Sequence, residues 1–219
     1  MKQKLVLFLF SLISLPALAQ FSPELSFSLS PTLNWMSPGV SEIQRNKTIL
    51  GYELGVNADL YFDEGARYAL ATGLHVTSTG GELTFNTDGN FNFAGKTFAS
   101  GTSIRYRMKY VEIPFGLKMR TNQFVRWSYW GLFGLVSGIN VGANADSSDG
   151  LLDRSSINKE VKLFNMALNI GLGANYDLGE RNSLILGLNY KSGFVDVTNR
   201  GMGENTKVNS LVFKLGLLF

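Results

Sequence analysis

The sequence predicts an all-β protein, an eight-stranded antiparallel up-and-down transmembrane β-barrel. Three observations support this fold class. Apolar and polar residues alternate with a period of two in eight separate segments. The connections between these segments are alternately short turns and long polar loops. Aromatic residues on the apolar face collect near both ends of the segments, as they do at the two surfaces of a membrane.

The alternation defines strands that are apolar towards lipid and polar towards the barrel lumen. The predicted strands are residues 24–36, 48–62, 67–79, 103–119, 125–142, 161–177, 183–196 and 209–219. In the first strand Leu and Phe alternate with Ser. In the second and third, Leu, Val and Tyr alternate with Gly, Asn, Ala and other small or polar residues.

The fourth predicted strand changes parity along its length. Its apolar residues are first even-numbered and then odd-numbered: Tyr106, Met108 and Tyr110, then Val111, Ile113, Phe115, Leu117 and Met119. One extra residue in a strand reverses the alternation, so we predict a β-bulge near Tyr110 and Val111. With this bulge, Arg107 and Lys109 face the lumen.

The last four strands carry much glycine on the polar face. The fifth begins with Trp127 and Tyr129 on the apolar face, and the sixth contains Gly171 and Gly173. The eighth alternates up to an aromatic residue, Phe219. This pattern is typical of the C-terminal strand of a bacterial outer-membrane barrel, which closes the sheet against the first strand.

The aromatic residues distinguish this fold from a soluble lipocalin-type barrel, which also has eight up-and-down strands but an apolar interior. Two belts are expected, one at the turn end and one at the loop end of the strands. We predict an aromatic girdle of Trp35, Tyr52, Tyr68, Tyr106, Trp127, Tyr129, Tyr176 and Phe219. Sorting of aromatic residues by height fits anchoring at a lipid interface.

The N-terminus has the layout of a secretory signal peptide. Lys2 and Lys4 precede an apolar run, and Ala17 and Ala19 form a small-x-small cleavage site. The apolar run of about 11 residues is shorter than the ~20 that a membrane-spanning helix needs. We predict a signal peptide over residues 1–19, a barrel domain over residues 20–219, and export to the bacterial outer membrane.

Composition argues against other classes of function. The formal net charge is +3, falling to +1 without Lys2 and Lys4, and no basic run suggests nucleic-acid binding. The chain has no Cys, so disulfides do not stabilise it. A sheet that closes on itself instead gives every backbone N–H and C=O group within the bilayer a hydrogen-bond partner.

Charged residues on the polar parity are expected to fill the lumen. They are Glu53, Asp59, Arg107, Lys109, Glu112, Lys118, Lys191 and Lys214. An eight-stranded barrel is only wide enough for side chains, and an unpaired ion in that space is costly. Our hypothesis is a plugged lumen in which Glu53 and Glu112 meet Lys214, Lys191 or Arg107.

Residues 110–118, Tyr-Val-Glu-Ile-Pro-Phe-Gly-Leu-Lys, form a compact motif. It resembles the signature Y-x-E-I-P-x-x-L-K of the PorT-like outer-membrane β-barrel family of Bacteroidetes-type bacteria, carried by Tyr110, Glu112, Ile113, Pro114, Leu117 and Lys118. The glycine-rich sixth strand and the aromatic terminus are shared with small OmpA/OmpX-like barrels generally. The resemblance implies a small integral outer-membrane protein. Pro114 cannot donate to a ladder and would follow the predicted bulge.

We predict neither a catalytic site nor a metal or other cofactor. The single histidine, His75, lies near Thr77 and Ser78, and loop carboxylates such as Glu82 are available, but a lone lumen-facing histidine is more often structural. The acidic stretch 146–150 lacks the terminal Glu of a calcium loop.

The predicted role is therefore structural or interaction-based, as a monomer. The alternatives are a narrow porin-like channel for small solutes and an outer-membrane lipid-modifying enzyme. Expected partners are outer-membrane lipid and the barrel-assembly machinery, the latter through the strand ending at Phe219.

The long loop between Gly80 and Thr102 permits two interpretations. In the first, it is a mobile loop, or its strands extend beyond the membrane as a hairpin around Asp88 and Gly89. In the second, it is a partner-binding surface. The second interpretation depends on exposure of its four phenylalanines, which are Phe85, Phe91, Phe93 and Phe98.

Overall fold

The computed structural model describes residues 22–180, 182–199 and 205–219, so the predicted signal peptide lies outside the described residues. These residues form twelve strands: β1 (Ser22–Ser37), β2 (Ile43–Lys47), β3 (Ile49–Tyr61), β4 (Tyr68–Phe85), β5 (Phe91–Phe93), β6 (Lys96–Phe98), β7 (Thr102–Arg120), β8 (Trp127–Ser147), β9 (Ser155–Ser156), β10 (Phe164–Gly179), β11 (Asn182–Gly193) and β12 (Lys207–Leu218). Within this part of the chain, no helix is long and apolar enough to cross a membrane.

Eight long antiparallel strands close into a barrel, which confirms the predicted fold class. Their order around the barrel is β1, β3, β4, β7, β8, β10, β11 and β12. β12 returns to pair with β1 from Ser26 opposite Leu218 to Ser37 opposite Lys207. The sheet therefore has no free edge along its length, as a bilayer requires.

The membrane section of the barrel is apolar outside and polar inside. Leu29, Phe115 and Leu172 on the outer wall are 59%, 60% and 66% exposed, whereas Ser30 and Asn34 on the inner wall are fully buried. A soluble barrel has the opposite distribution. The lipocalin-type alternative is therefore excluded.

The strands continue beyond this section, and their polarity is then reversed. In β7 the residues Ile104, Tyr106 and Met108 are buried on the same inner face as Glu112 and Lys118. β7 alternates without a flip, so the predicted bulge in this strand is wrong. The apolar residues move from odd to even positions because the outer wall faces lipid in the membrane section and water beyond it. Where the wall faces water, apolar residues are more stable inside the barrel.

A bulge does exist at this level, but it lies in the neighbouring strand. Lys109 pairs with Gly142 of β8, and the next residue, Tyr110, pairs with Asn140. Val141 is the extra residue and points outwards. The bulge reverses the alternation of β8, so that the part of β8 beyond the membrane section places Ala143 and Ala145 inside.

Two sets of predicted positions change as a consequence. Tyr106 lies in the interior and is not part of the aromatic girdle. Arg107 and Lys109 face outwards and are not lumen charges. The other predicted girdle residues lie on the outer face: Trp35, Tyr52, Tyr68, Trp127, Tyr129, Tyr176 and Phe219. Five of them form ring pairs: Trp127 with Tyr176, Trp35 with Tyr190, Tyr68 with Phe62, and Phe219 with Phe27.

An apolar cap closes the end of the barrel that carries the long loops, which is the extracellular end in outer-membrane barrels. The loop after β4 folds into a hairpin, β5–β6, whose turn is Ala94 and Gly95, both at positive φ. The predicted turn at Asp88 and Gly89 is therefore misplaced. The hairpin packs with the inner faces of the strand extensions into one buried cluster: Met36, Ile43, Leu83, Phe85, Phe91, Phe98, Ile104, Tyr106, Met108, Tyr110, Ala143, Ala145, Leu152, Ile157, Val161, Val197 and Val208.

The phenylalanines of this loop are thus core residues. Phe85, Phe91 and Phe98 are almost fully buried, and the Phe85 and Phe91 ring centroids are 4.8 Å apart. Phe93 packs edge-on against Tyr106. The interpretation that exposed aromatic residues form a binding surface is wrong, because burial in the cap gives them a packing role.

Pro114 occupies an interruption in the sheet. The ladder between β4 and β7 stops after Thr72 pairs with Phe115 and resumes where His75 pairs with Glu112. Pro114 lies in this gap, where the missing N–H costs no ladder bond. The gap, rather than the expected bulge, accommodates the proline.

Candidate functional site

Lys191 is the centre of the charged lumen. It projects from β11 across the barrel, and its Nζ contacts Glu53 Oε2 of β3 and lies 2.6 Å from Glu112 Oε2 of β7. Thr77 Oγ1 also donates to Glu112 Oε2 at 3.1 Å. All four side chains are buried. One ammonium group therefore joins three walls of the barrel through charge-assisted hydrogen bonds.

His75 and Asn57 extend this network towards β12. His75 Nδ1 lies 3.2 Å from Glu53 Oε1, and its Nε2 lies 3.0 Å from Asn57 Oδ1. Lys214 Nζ donates to the same Asn57 oxygen at 2.9 Å. The imidazole lies against Gly55, where a Cβ would come within 2.4 Å of the ring, so only glycine fits beneath it.

A second buried ion pair lies nearer the periplasmic end. Lys118 Nζ lies 2.5 Å from Asp59 Oδ2 and 5.3 Å from the ring of Trp130. Below it, Arg120 binds both carboxylate oxygens of Glu24. Cation–π contact and bidentate pairing both suit desolvated cations.

The predicted lumen charges balance. Six of the eight face the lumen: the carboxylates Glu53, Asp59 and Glu112, and the amines Lys118, Lys191 and Lys214. Three negative charges thus meet three positive charges, which offsets the cost of desolvating each ion. The space left among them is about 30 Å³, enough for only one or two water molecules.

Trp130 fills the lumen beside these ions. Its ring lies over Gly173 of β10 and Gly187 of β11, where an added Cβ would come within 2.4 Å of the indole. The glycines of these two strands therefore have a specific structural role. They make room for one large side chain inside a narrow barrel.

Replacement of Gly187 by alanine is expected to destabilise the barrel by about 1–3 kcal/mol, because the methyl group overpacks the lumen against Trp130. Urea unfolding in lipid vesicles, followed by tryptophan fluorescence, measures this loss. Gly131→Ala is the control, since a Cβ there meets no atom within 4 Å. Equal stability of the two variants would show that Trp130 is not held against the glycines.

The same cluster has the ligand types and the spacing of a metal site, but a lysine ammonium group already contacts its carboxylates. Ligand atoms of Glu53, His75 and Glu112 lie within 4.8 Å of one another. However, the Lys191 ammonium contacts both carboxylates and provides the positive charge there. These residues therefore form an ion-pair network rather than a cation site.

A nucleophile is also not assembled around His75. Thr77 Oγ1 donates to Glu112, while Ser78 lies on the opposite parity of β4, away from the lumen. Glu82 lies in β4, not in a loop, and binds Arg105 at 2.8 Å. The potential triad considered from the sequence is therefore not brought together.

The acidic stretch 146–150 is likewise engaged within the protein. Asp146 Oδ1 accepts from Arg154 N, and its Oδ2 lies 2.8 Å from Arg107. Asp149 Oδ1 accepts from Ser147 Oγ and Leu151 N. These contacts build an Asx-type turn.

An ion pair in the extracellular region holds two loops together. Lys162 Nζ lies 2.7 Å from Asp196 Oδ2, and Thr198 N and Oγ1 both donate to Asp196 Oδ1. Burial raises the pKa of the Asp196 carboxyl, but these hydrogen bonds outweigh it and hold the pKa below its usual value of 3.8.

We expect these loops to loosen in acid. A carboxyl whose pKa is lowered by folding contributes stability that is present above its unfolded pKa and lost as pH falls through its folded pKa. Pepsin cleavage within residues 157–163 and 194–199, normalised to a reference peptide, should therefore rise from about pH 4 to about pH 2. Asp196→Asn should be cleaved readily at both values. A wild-type rate independent of pH would contradict this role.

Sequence reasoning missed several members of the network. Asn57 and Thr77 are neutral, and the sequence does not distinguish them from other polar residues on the inner parity, yet they connect the charged groups. Trp130 is not among the residues that the sequence analysis predicts for the lumen. Trp130 has the opposite parity to Trp127 and Tyr129, which face outwards. This parity is the signal that places it on the inner face.

The closed sheet, the apolar outer wall and the charged lumen together define a small membrane-spanning β-barrel of the bacterial outer-membrane type. The chain belongs to the family of outer membrane protein beta-barrel domains, whose family model matches residues 14–199. Comparison with curated proteins gives no match.

Solved outer-membrane barrels have a similar fold. Ail, the attachment invasion locus protein of Yersinia pestis, in complex with the heparin analogue sucrose octasulfate, is 16% identical over 90% of this chain and 99% of its own, with a TM-score of 0.44. Neisserial surface protein A is 13% identical over 90% and 97%, with a TM-score of 0.46. A major outer membrane protein from Thermus thermophilus is 13% identical over 89% and 98%, with a TM-score of 0.48. At these identities the likeness concerns the fold alone.

Proposed function

We propose that this protein is a closed outer-membrane barrel with a structural or interaction role, exerted through its extracellular surface. The observation that carries this proposal is the double closure of the lumen. A neutral set of six charges fills the membrane section, and the apolar cap covers its extracellular end. A solute would have to break buried ion pairs and also displace packed aromatic residues, and both are costly.

The outer wall supports a permanent place in the membrane. Its apolar band would contact outer-membrane lipid, and the aromatic residues would lie at the two interfaces. The C-terminal strand, ending at Phe219, would be the segment presented to the barrel-assembly machinery. The motif at residues 110–118 supports placing the protein among PorT-like barrels.

The surface that the β5–β6 hairpin offers to an extracellular partner is polar. On the β5–β6 hairpin Asn92, Lys96 and Thr97 are exposed, while the phenylalanines of the same hairpin point into the cap. A polar surface on a packed base is pre-organised, which lowers the entropic cost of binding. We therefore assign recognition to the outer edge of this hairpin.

Photo-crosslinking in intact cells tests this assignment. A photoreactive residue at Asn92 or Thr97 should give discrete crosslinked products. The same residue at Glu64, exposed in the short turn after β3, should not give those products. Identical products from both ends of the barrel, or none from the hairpin, would contradict an interaction role there.

A narrow channel and a lipid-modifying enzyme are the two rival functions. The channel requires an open lumen, and single-channel recording in planar lipid bilayers tests it. The enzyme would require a reactive group accessible to lipid, whereas His75 is enclosed between Glu53 and Asn57. We therefore propose a non-enzymatic role.

A further inference from the structure

The reversal of polarity along β7 leaves a basic patch on the outer wall. Lys109 is exposed and Arg107 half-buried on the outward face. Towards the C-terminal end of β7, the next outward residues are Val111, Ile113 and Phe115, which belong to the lipid-facing band. The two cations therefore lie at the boundary between the apolar band and the extracellular part of the wall.

Small neighbours form a shallow recess around these cations. Lys109 lies between Ser78 of β4 and Gly142 of β8. Arg107 lies between Gly80 and Asn144 of the same two strands. A Cβ at Gly142 would meet no atom within 4 Å, whereas Gly80 is buried, and a Cβ there would meet Tyr106 O and Ile49 Cδ1. A polar group of moderate size can therefore approach Lys109 and the Ser78 hydroxyl over Gly142, and reach the half-exposed Arg107 from outside.

The charge of this region is not balanced by its own carboxylates. Arg107 binds Asp146, and Lys47 and Arg105 share Glu82. Among the described residues, the Lys109 ammonium has no hydrogen bond or ion pair. Four cations thus face two carboxylates, and the surplus is greatest where the apolar band begins.

We propose that Arg107 and Lys109, with Ser78 and Asn144, bind the phosphate of a lipid head group in the outer leaflet. Arg and Lys are strong phosphate ligands, and long basic side chains extend naturally to a membrane interface. The exposed apolar side chains directly below, Ile113, Ile139 and Val141, provide a surface for the acyl chains of the same molecule. Adjacency of the cations to this surface favours a lipid over a soluble anion.

Native mass spectrometry of the detergent-solubilised protein tests the proposal. The probes are phosphorylated lipid A, the same lipid after removal of its phosphates, and inorganic phosphate. Arg107→Gln/Lys109→Gln is the test variant, and Arg154→Gln/Lys159→Gln, two exposed cations of the loop after β8, is the charge-matched control. Since each cation near an anionic surface contributes about fivefold to binding, the test variant should bind phosphorylated lipid about 25-fold more weakly.

Each outcome decides the proposal. Selective loss of phosphorylated lipid in the test variant, with the control variant unchanged, supports it. Equal binding of the dephosphorylated lipid, or undiminished binding by the test variant, overturns it. Binding of inorganic phosphate as tight as that of the lipid would identify a site for free anions and overturn the lipid assignment. The heat-dependent shift in gel mobility that folded barrels show verifies that both variants are folded, and neither variant touches the lumen or the β5–β6 hairpin.

Discussion

Replacement of Lys191 by methionine is expected to lower the free energy of unfolding by about 3–5 kcal/mol, the usual effect of removing one partner from a buried ion network. The ammonium group contacts both Glu53 and Glu112, so the variant leaves two buried carboxylates without the cation between them. Methionine retains most of the side-chain volume. The loss therefore reports charge rather than packing, and urea unfolding in lipid vesicles measures it.

Removing one of the stranded carboxylates together with the lysine should reverse most of this effect. In the double variant Lys191→Met/Glu112→Gln one ion of each sign is lost, so Glu53 and Asp59 still balance Lys118 and Lys214, and replacing a buried ion pair by neutral residues of similar volume often leaves stability unchanged. Lys159→Met, at an exposed loop position, should change stability by less than about 0.5 kcal/mol. If the single Lys191 variant were as stable as the loop variant, the network would not neutralise the lumen as described.

Replacement of Phe85 by alanine is expected to cost about 3–5 kcal/mol, because a large side chain is removed from a packed core. Phe85 is 1% exposed and stacks on Phe91 in the cap. The loss should be accompanied by faster hydrogen exchange in the β5–β6 hairpin, since the hairpin packs on this ring. Exchange in the membrane section should change much less.

Phe115→Ala provides the matched control for the cap. Phe115 lies on the same barrel but is 60% exposed on the lipid-facing wall. Lipid can fill the space left by its ring, so no cavity remains and the loss should be clearly smaller. Similar losses for the two phenylalanines, or no change in hairpin exchange for Phe85→Ala, would show that the cap is not a packed core.

The sequence predicts the barrel well because its main signal is local. Alternation depends only on neighbouring residues, and lipid and lumen impose opposite demands on adjacent positions. The eight strands could therefore be placed within a few residues. Their extracellular ends could not, because β4 continues to Phe85 and β8 to Ser147 in a region where water replaces lipid. There the apolar residues lie on the inner face of the strands rather than on the outer face.

This change of surroundings also explains the errors at Tyr106, Arg107 and Lys109. If these three residues belong to a strand that faces lipid along its whole length, their parity requires a bulge in β7. The structure keeps β7 regular and places Val141 of β8 as the extra residue. The choice between these arrangements depends on pairing between strands, which a single sequence does not display.

Within the lumen, parity predicted which charged residues point inwards but not which ones pair. The choice of Lys191, rather than Lys214, as the partner of both Glu53 and Glu112 depends on register across the barrel. Lys214 instead donates to Asn57, a contact between β12 and β3. Long-range contacts of this kind come from strand order and tilt, not from spacing along the chain.

Single-channel recording of the purified wild-type protein in planar lipid bilayers tests most directly whether the lumen is closed. A barrel filled by paired charges and covered by an apolar cap should give no stable ion-conducting openings. Large, long-lived openings of uniform size would contradict both the ion-pair plug and the cap.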